Sequence, residues 1–354
     1  MTATGVTVVV PTLGRPSLTV LLDALAAGEP APMPVEVLVV DDRADRREPL
    51  AAPGAKVLTG RAAGPAAARN VGWRAAHSDW VAFLDDDVVP DPDWLVRLAA
   101  DLVNARPDVG GVQGRIRVPL PAGRRPTDWE RVTAGLADGE WITADMAYRT
   151  AALEDAGGFD ERLPRAFRED AELAHRVRAA GWRLVRGERT VTHPVRPESR
   201  WVSVRTQRGN ADDALLRRLY GPRWREVLGV PPGRRHRHAA ITAAAVAALA
   251  CAAAGTLTRR RTRGDLGVVV RRKANEKGVR ATTTPRSRRN GRPGWYAAAA
   301  TAGAVWLAGT AEFAAARIAP GPRDRREVVT MLATSVAIPP VAMAHWLRGW
   351  WRWR

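Results

Sequence analysis

A chain of 354 residues with 46% apolar side chains has room for two domains, or for one large domain plus an appendage, and can fill a core. Its net charge of +18 points to an anionic partner, either nucleic acid or a membrane surface. The single cysteine, Cys251, excludes an intrachain disulfide and suits a reducing compartment.

In chain order, residues 1–5 lack the basic region of a signal peptide, so the start of the chain reads as cytosolic. Residues 6–10 are an unbroken β-branched run and predict a central strand. A loop over 11–16 follows, and Ser17 is placed to cap a helix reaching about Ala27. A second strand over 35–40 stops at Asp41 and Asp42, and a short third lies at 56–58. Gly64 and Pro65 open an alanine-rich helix through Ala76. Residues 80–84 form an apolar strand that ends in Asp85, Asp86 and Asp87, and Pro92 opens a helix reaching roughly Ala105.

Further strands are predicted over 110–118 and 141–148, with a short helix over 150–157 ended by Gly157 and Gly158. A helix over 169–180 carries Leu173 and Val177 on one face and stops at Gly181. Short strands at 183–185 and 190–192 precede a basic amphipathic helix over 211–220, suited to a membrane surface. The sequence contains no internal repeat. Alternating strand and helix signals over the first 230 residues argue for an α/β fold with a mainly parallel sheet.

The three consecutive acids are the most informative feature. Like charges side by side repel unless a cation neutralises them, and hard divalent ions such as Mg²⁺ or Mn²⁺ choose oxygen ligands of this kind. The alternative is a solvated acidic turn. Open α/β sheets bind ligands at the carboxyl ends of their strands. Thr12, Asp41 with Asp42, and Asp85 with Asp86 and Asp87 all fall at such ends. Their convergence argues for a site.

Beyond residue 230 the character changes. Between Pro232 and Trp295 the only acids are Asp265 and Glu276, amid many arginines. Apolar stretches cover 239–257, 295–318 and 328–347, the second interrupted by Glu312 and Arg317 and the third carrying Pro339 and Pro340. About 20 apolar residues cross a bilayer, and tryptophans with arginines belong at the interfaces. The positive-inside rule places the basic segment 259–292 in the cytosol. The expected arrangement is therefore a re-entrant or surface-lying helix pair at 239–257 and a transmembrane hairpin from 295–318 and 328–347. The domains expected are 1–230, a basic membrane-proximal region at 231–294, and the hairpin with its aromatic tail at 295–354.

Six segments together resemble the family 2 glycosyltransferases, in the family's order: Val-Val-Val-Pro-Thr at 8–12, Val-Val-Asp-Asp at 39–42, Gly-Pro-Ala-Ala-Ala-Arg-Asn-Val-Gly at 64–72, Phe-Leu-Asp-Asp-Asp at 83–87, Gly-Gly-Phe-Asp-Glu at 157–161, and Glu-Asp-Ala-Glu-Leu-Ala-His-Arg at 169–176. The resemblance covers about residues 5–200. It implies a GT-A, Rossmann-like nucleotide-sugar-binding domain, here followed by a C-terminal helical membrane region. Pro11 and Thr12 with Asp41 and Asp42 would hold the base and ribose of the donor. Asp85, Asp86 and Asp87 correspond to the family's DXD element, with Asp85 and Asp86 toward the nucleotide and Asp87 on Mg²⁺ or Mn²⁺. Arg69 would approach the same pocket, although a surface helix arginine would look alike. Asp170 would be the general base that takes a proton from the acceptor hydroxyl, whereas a mere helix cap is the bland reading. His193 would complete the metal shell or be structural.

One element is missing. Processive synthases of the family carry Gln-x-x-Arg-Trp after the base, and here Ser199-Arg200-Trp201 keeps only the Arg-Trp pair. Addition of one or a few sugars is therefore expected rather than extrusion of a polymer. The implied activity is an inverting, metal-dependent transfer from a nucleotide-diphosphate sugar to a lipid-linked or cell-envelope glycan acceptor, on the cytosolic face of the plasma membrane and in contact with anionic lipid. A polyprenyl-phosphate sugar synthase is the close alternative. A nucleic-acid-binding role is unlikely, since the basic block lies between membrane-like segments and no nucleic-acid fold is recognisable.

Overall fold

The computed structural model describes residues 5–272 and 294–354. Contacts divide the chain into two units: Met1–Gly233 with Pro320–Pro322 and His345–Arg354, and Arg234–Ala319 with Arg323–Ala344.

The first unit is built in chain order from β1 (Val6–Thr12), α1 (Ser17–Ala27), β2 (Val35–Asp41), β3 (Lys56–Thr59), α2 (Pro65–Ala75), β4 (Trp80–Leu84), β5 (Val89–Pro90), α3 (Trp94–Val103) and β6 (Val109–Arg117). It continues with α4 (Asp128–Asp138), β7 (Asp145–Arg149), α5 (Thr150–Ala156), α6 (Glu169–Ala179), β8 (Arg183–Thr192), α7 (Val202–Arg205), a 3₁₀ turn at Thr206–Gly209, α8 (Asn210–Tyr220) and α9 (Trp224–Val227). Eight strands form one sheet in the order β3-β2-β1-β4-β7-β6-β8-β5. The β3-β2-β1-β4 half is parallel, and β6 also runs parallel to β8. Strand β7 is antiparallel to both its neighbours, and β5 is antiparallel to β8, so the sheet is mixed beyond β4.

Strands β1 and β4 are apolar almost throughout because helices cover both faces of the parallel half. Alternation along each strand sorts their side chains. Val8, Val10, Ala82 and Leu84 pack under α1 and α3, whereas Val9, Val81 and Phe83 pack under α2, α5 and α6. Helix α1 buries Leu18, Leu21, Leu22 and Leu25, the spacing that keeps one helical face on the sheet. Each such leucine contributes about 1.5–3 kcal/mol on leaving water.

Several local expectations change. Pro16 occupies the cap of α1, which moves Ser17 inside the first turn, where its buried hydroxyl has no partner among the described residues. The expected strand over 141–148 starts only at Asp145, because the Gln113 side chain captures the amides of Trp141 and Ile142 and turns the chain there. The two short strands after α6 are one continuous β8. Helix α8 does not offer its apolar face to a membrane: Leu215 and Leu216 pack with Leu163, Trp224 and Leu228 inside the first unit.

The second unit holds α10 (Arg235–Arg272), α11 (Trp295–Ile318) and most of α12 (Arg325–Arg352). Instead of a re-entrant pair, α10 is a single helix of 38 residues. Its portion Arg235–Arg260 and α12 are long and apolar enough to cross a membrane. Alanine-rich α11, interrupted by Glu312 and Arg317, is not among the helices that meet this criterion. Helix α12 runs unbroken through Pro339 and Pro340. The buried Arg317 guanidinium donates to Thr334 at 2.7 Å and Ser335 at 3.1 Å, and Glu312 accepts from Arg234 and Arg237. Residues 273–292 of the basic segment, on which its sidedness was argued, lie outside the described residues.

Candidate active site

The parallel strands β1, β2 and β4 end along one edge of the sheet, with Thr12 registered against Asp41. A cleft of about 820 Å³ opens there. Of the residues singled out in the sequence, Pro11, Thr12, Asp42, Arg69, Asp85, Asp86, Asp87, Asp170 and His193 all line it. Asp41 does not. Its carboxylate turns to Arg43, accepting from Nε at 2.9 Å and from the terminal nitrogen at 2.8 Å. That pairing holds Asp41 below the usual carboxylate range, against the opposing pull of burial.

Each acid of the triplet has its own arginine. Asp85 accepts from Arg69 at 2.7 Å, Asp86 from Arg15 at 2.8 Å, and Asp87 faces Arg196 Nε at 3.0 Å. Asp86 also accepts from the Thr12 hydroxyl at 2.6 Å, which ties the tip of β1 to the tip of β4. Burial and the neighbouring Asp85 raise the pKa of Asp87, while His193 and Arg196 pull it down.

Arg69 is 2% exposed and reaches in two directions, to Asp85 and to Glu169 at 2.9 Å. It therefore couples the acidic tip of β4 to the first residue of α6. Its neighbour Asn70 accepts from the Phe159 amide at 2.9 Å and donates to the Phe159 carbonyl at 2.9 Å, so two of the segments quoted above hold each other. Gly158 lies at φ 74°, and a Cβ there would meet Asn70 Oδ1 at 2.6 Å. Gly64, at φ 98°, donates its amide to Asp42 at 2.8 Å, and a Cβ there would sit 2.0 Å from the Pro164 carbonyl. The other oxygen of Asp42 is buried with no partner among the described residues.

Glu169 and Asp170 open α6 side by side at the cleft. Burial raises both carboxyls above the ordinary range, and Asp170 raises Glu169 further by like-charge repulsion. The Ala171 amide, which donates to Asp170 at 2.7 Å, and the cations Arg69 and Arg168 oppose the rise at Asp170. A carboxyl raised by burial and facing a cleft is the kind of group that takes part in proton exchange.

His193 lies 3.6 Å from Asp87, through Nε2 and Oδ1. Its Nδ1 is 3.2 Å from the Pro194 carbonyl, which can only accept, so the neutral tautomer that makes this bond carries its proton on Nδ1. In that tautomer the Nε2 lone pair and the Asp87 carboxylate oxygen could be bridged by a cation. A carbonyl that accepts from the other ring nitrogen orients metal-binding imidazoles. Asp87 and His193 thus fit a divalent ion. Among the described residues no group of three or more His, Cys, Asp or Glu side chains forms a metal cage, so exogenous oxygens would fill the remaining positions.

The wall across the cleft was not legible as a site in advance. Helix α4 supplies Trp129, Val132 and Leu136, and the 3₁₀ turn and α8 supply Gln207 and Asn210. A full capping box at Thr127 and Glu130 starts α4, and this Thr-x-x-Glu pattern is present in the sequence. Trp129 Nε1 donates to the Arg196 carbonyl at 3.1 Å, fastening α4 to the segment that carries His193 and Arg196. Arg15, Arg168, Glu169 and Arg196 also line the cleft, and arginines among so many carried no signal of their own.

Residues 7–145 match the glycosyl transferase family 2 model. A segment of 135 residues is 37% identical to the pre-mycofactocin glycosyltransferase of two Mycobacterium tuberculosis strains, covering 34% of this chain. The match spans only 28% of those relatives' own length. Among solved structures, the mannosyltransferase PcManGT from Pyrobaculum calidifontis, in complex with GDP-Man and Mn²⁺, aligns over 100% of this chain and 89% of its own. It is 16% identical with a TM-score of 0.50, a likeness of fold. S. aureus TarS 1–349, in complex with UDP-GlcNAc, aligns over 63% of this chain and 70% of its own at 22% identity, with a TM-score of 0.42.

Proposed function

Because this chain belongs to the family 2 glycosyltransferases, we propose that it transfers a sugar, with inversion, from a nucleotide-diphosphate donor to a lipid-linked or cell-envelope glycan acceptor. The observation that carries this reading is that Asp87, His193 and Asp170, from three separate segments, line one cleft at the strand ends. The donor's nucleotide lies toward Pro11, Thr12 and the unpartnered oxygen of Asp42, and its diphosphate toward the triplet. Asp87 and His193 would hold Mg²⁺ or Mn²⁺. That ion, when bound, supplies Lewis-acid stabilisation of the charge on the departing diphosphate. PcManGT, solved with GDP-Man and Mn²⁺, is in keeping with such a donor and ion.

Asp170 takes the proton of the acceptor hydroxyl as its oxygen attacks the anomeric carbon. The new carbon–oxygen bond forms on the face opposite the diphosphate, whose bond to the sugar breaks and which keeps the electron pair. One displacement inverts the anomeric centre. Ionised Asp170 is needed for this step, and Arg69 and Arg168 favour that ionised form.

The second unit holds the enzyme at the cytosolic face of the plasma membrane, near lipid-borne acceptors, where tethering raises the effective concentration. The test is a donor screen with the full chain in detergent, by calorimetry with and without Mn²⁺. One nucleotide-sugar should bind, with affinity dependent on the ion and on Asp87. Binding of no nucleotide-sugar would reject the reading.

A further inference from the structure

We propose that the acceptor half of the cleft is a phosphate subsite in which Arg168 is the specificity-determining residue, so that the acceptor carries a phosphate ester close to the hydroxyl or phosphate oxygen that is glycosylated. The inference rests on the transferase reading above and names the chemistry its acceptor must bring.

Arg168 is one of three non-glycine residues at positive φ among those described, with φ 74° and ψ −10°. Such a backbone costs about 1–3 kcal/mol at an ordinary residue, and it persists where surrounding structure imposes it. The strain sits immediately before Glu169 and Asp170, and the side chain it aims lines the cleft. The guanidinium stacks on its neighbour Phe167 at 4.6 Å. Phe167 in turn fits against Gly209, where any Cβ would lie 2.6 Å from the ring. The arginine is thus positioned from below.

What it lacks is a close anion of its own. Its Nε is buried without a hydrogen-bond partner among the described residues. The nearest carboxylate is Asp213 at 3.9 Å, and Asp213 is already engaged by Arg225. Burial lowers its pKa, with Arg225 adding to the effect, yet an arginine stays charged at any physiological pH. Of the other arginines in this half, Arg196 is taken by Asp87, and Arg225 also donates to the Pro231 carbonyl at 2.9 Å. Arg168 and Arg225 therefore share Asp213, and the Arg168 Nε is left as an unpartnered donor among the described residues, beside the proposed base. Arg208 and Arg218 are exposed and do not line the cleft. A phosphate monoester or diphosphate ester satisfies this arrangement, and a neutral glycan does not.

The experiment uses the full chain in detergent, saturated with Mn²⁺ and the nucleoside diphosphate it binds, so that the donor's own phosphate positions are filled. Inorganic phosphate, glucose 6-phosphate and a polyprenyl phosphate are then titrated by calorimetry. Arg168→Gly and Arg168→Asn are compared with wild type, because both residues accept a left-handed backbone and remove the guanidinium without new strain. Arg218→Gln controls for general loss of positive charge. We expect each Arg168 variant to bind the phosphate probes at least tenfold more weakly, with nucleotide affinity within twofold of wild type and Arg218→Gln indistinguishable from it. Stronger retention of polyprenyl phosphate than of glucose 6-phosphate would assign the ester to a lipid, and the reverse order to a soluble sugar phosphate, either result supporting the subsite. Equal phosphate binding by wild type and Arg168→Gly, or no binding by nucleotide-saturated wild type, overturns it. Failure to bind any nucleotide would instead overturn the transferase reading, and this inference with it.

Discussion

Around the triplet, Arg15, Arg69 and Arg196 each neutralise one acid, so the tip of β4 stays compatible with a folded chain before any donor arrives. The three acids nevertheless differ. Asp86 is tied to Thr12 as well as Arg15 and braces two strand ends, whereas Asp87 faces both a histidine and an arginine. Asp87→Ala should therefore abolish ion-dependent donor binding in the calorimetric assay while leaving the melting temperature near wild type. Asp170→Asn should lower the transfer rate by about 10²–10⁴-fold, the usual span for a lost general base, with nucleotide affinity retained. Equal transfer rates in wild type and Asp170→Asn would remove the base assignment.

The Glu169–Asp170 pair also sets a pH dependence. A base whose pKa is raised loses activity as pH falls through a value above the ordinary carboxylate range. Linkage requires that if ionised Asp170 raises Glu169, ionised Glu169 raises Asp170 equally. Glu169→Gln should accordingly shift the acid limb of the pH–rate profile to lower pH. For stability the sign is the opposite of a salt-bridged acid. The folded state binds more protons between the ordinary and raised values, so this pair's contribution declines as pH rises through that window.

At the scale of elements, the cleft depends on close approaches that side chains would block. Gly64→Ala would meet the Pro164 carbonyl and lose the left-handed backbone, so the loop before α2 should distort. Its expected cost exceeds the ~1 kcal/mol typical of an unremarkable Gly→Ala change, read as a lower denaturation midpoint. Strands β7 and β8 are locked by a buried network in which Arg189 donates to Asp145 at 2.7 Å and Asp101 at 3.0 Å, with Trp94 Nε1 on the other Asp145 oxygen at 2.9 Å. Asp145→Ala leaves Arg189 Nε and Trp94 Nε1 as buried donors without their acceptor, and should cost about 1–3 kcal/mol for each in urea unfolding. The capping box of α4 is worth less. Thr127→Ala should cost about 1 kcal/mol and loosen the wall that carries Trp129.

At the scale of the molecule, Arg235–Arg260 of α10 and the whole of α12 are, among the described residues, long and apolar enough to cross a bilayer. The full chain should sediment with membranes and resist alkaline carbonate extraction. Release by carbonate would remove the membrane reading while leaving the catalytic one intact. Much of the architecture was readable without coordinates, since unbroken apolar runs such as residues 80–84 occur where helices cover both faces of a sheet, and acids at strand ends mark a ligand edge in any open parallel sheet. Local pattern was enough for those because they follow from periods of two and about four residues. Tertiary structure decided which polar groups meet: that Asp41 turns to Arg43 and leaves the cleft, that Arg69 holds Asp85 and also reaches Glu169, 100 positions further along the chain, and that α8 spends its apolar face inward. Which charge pairs with which depends on distances set by the packed sheet, and a one-dimensional spacing contains no such distances.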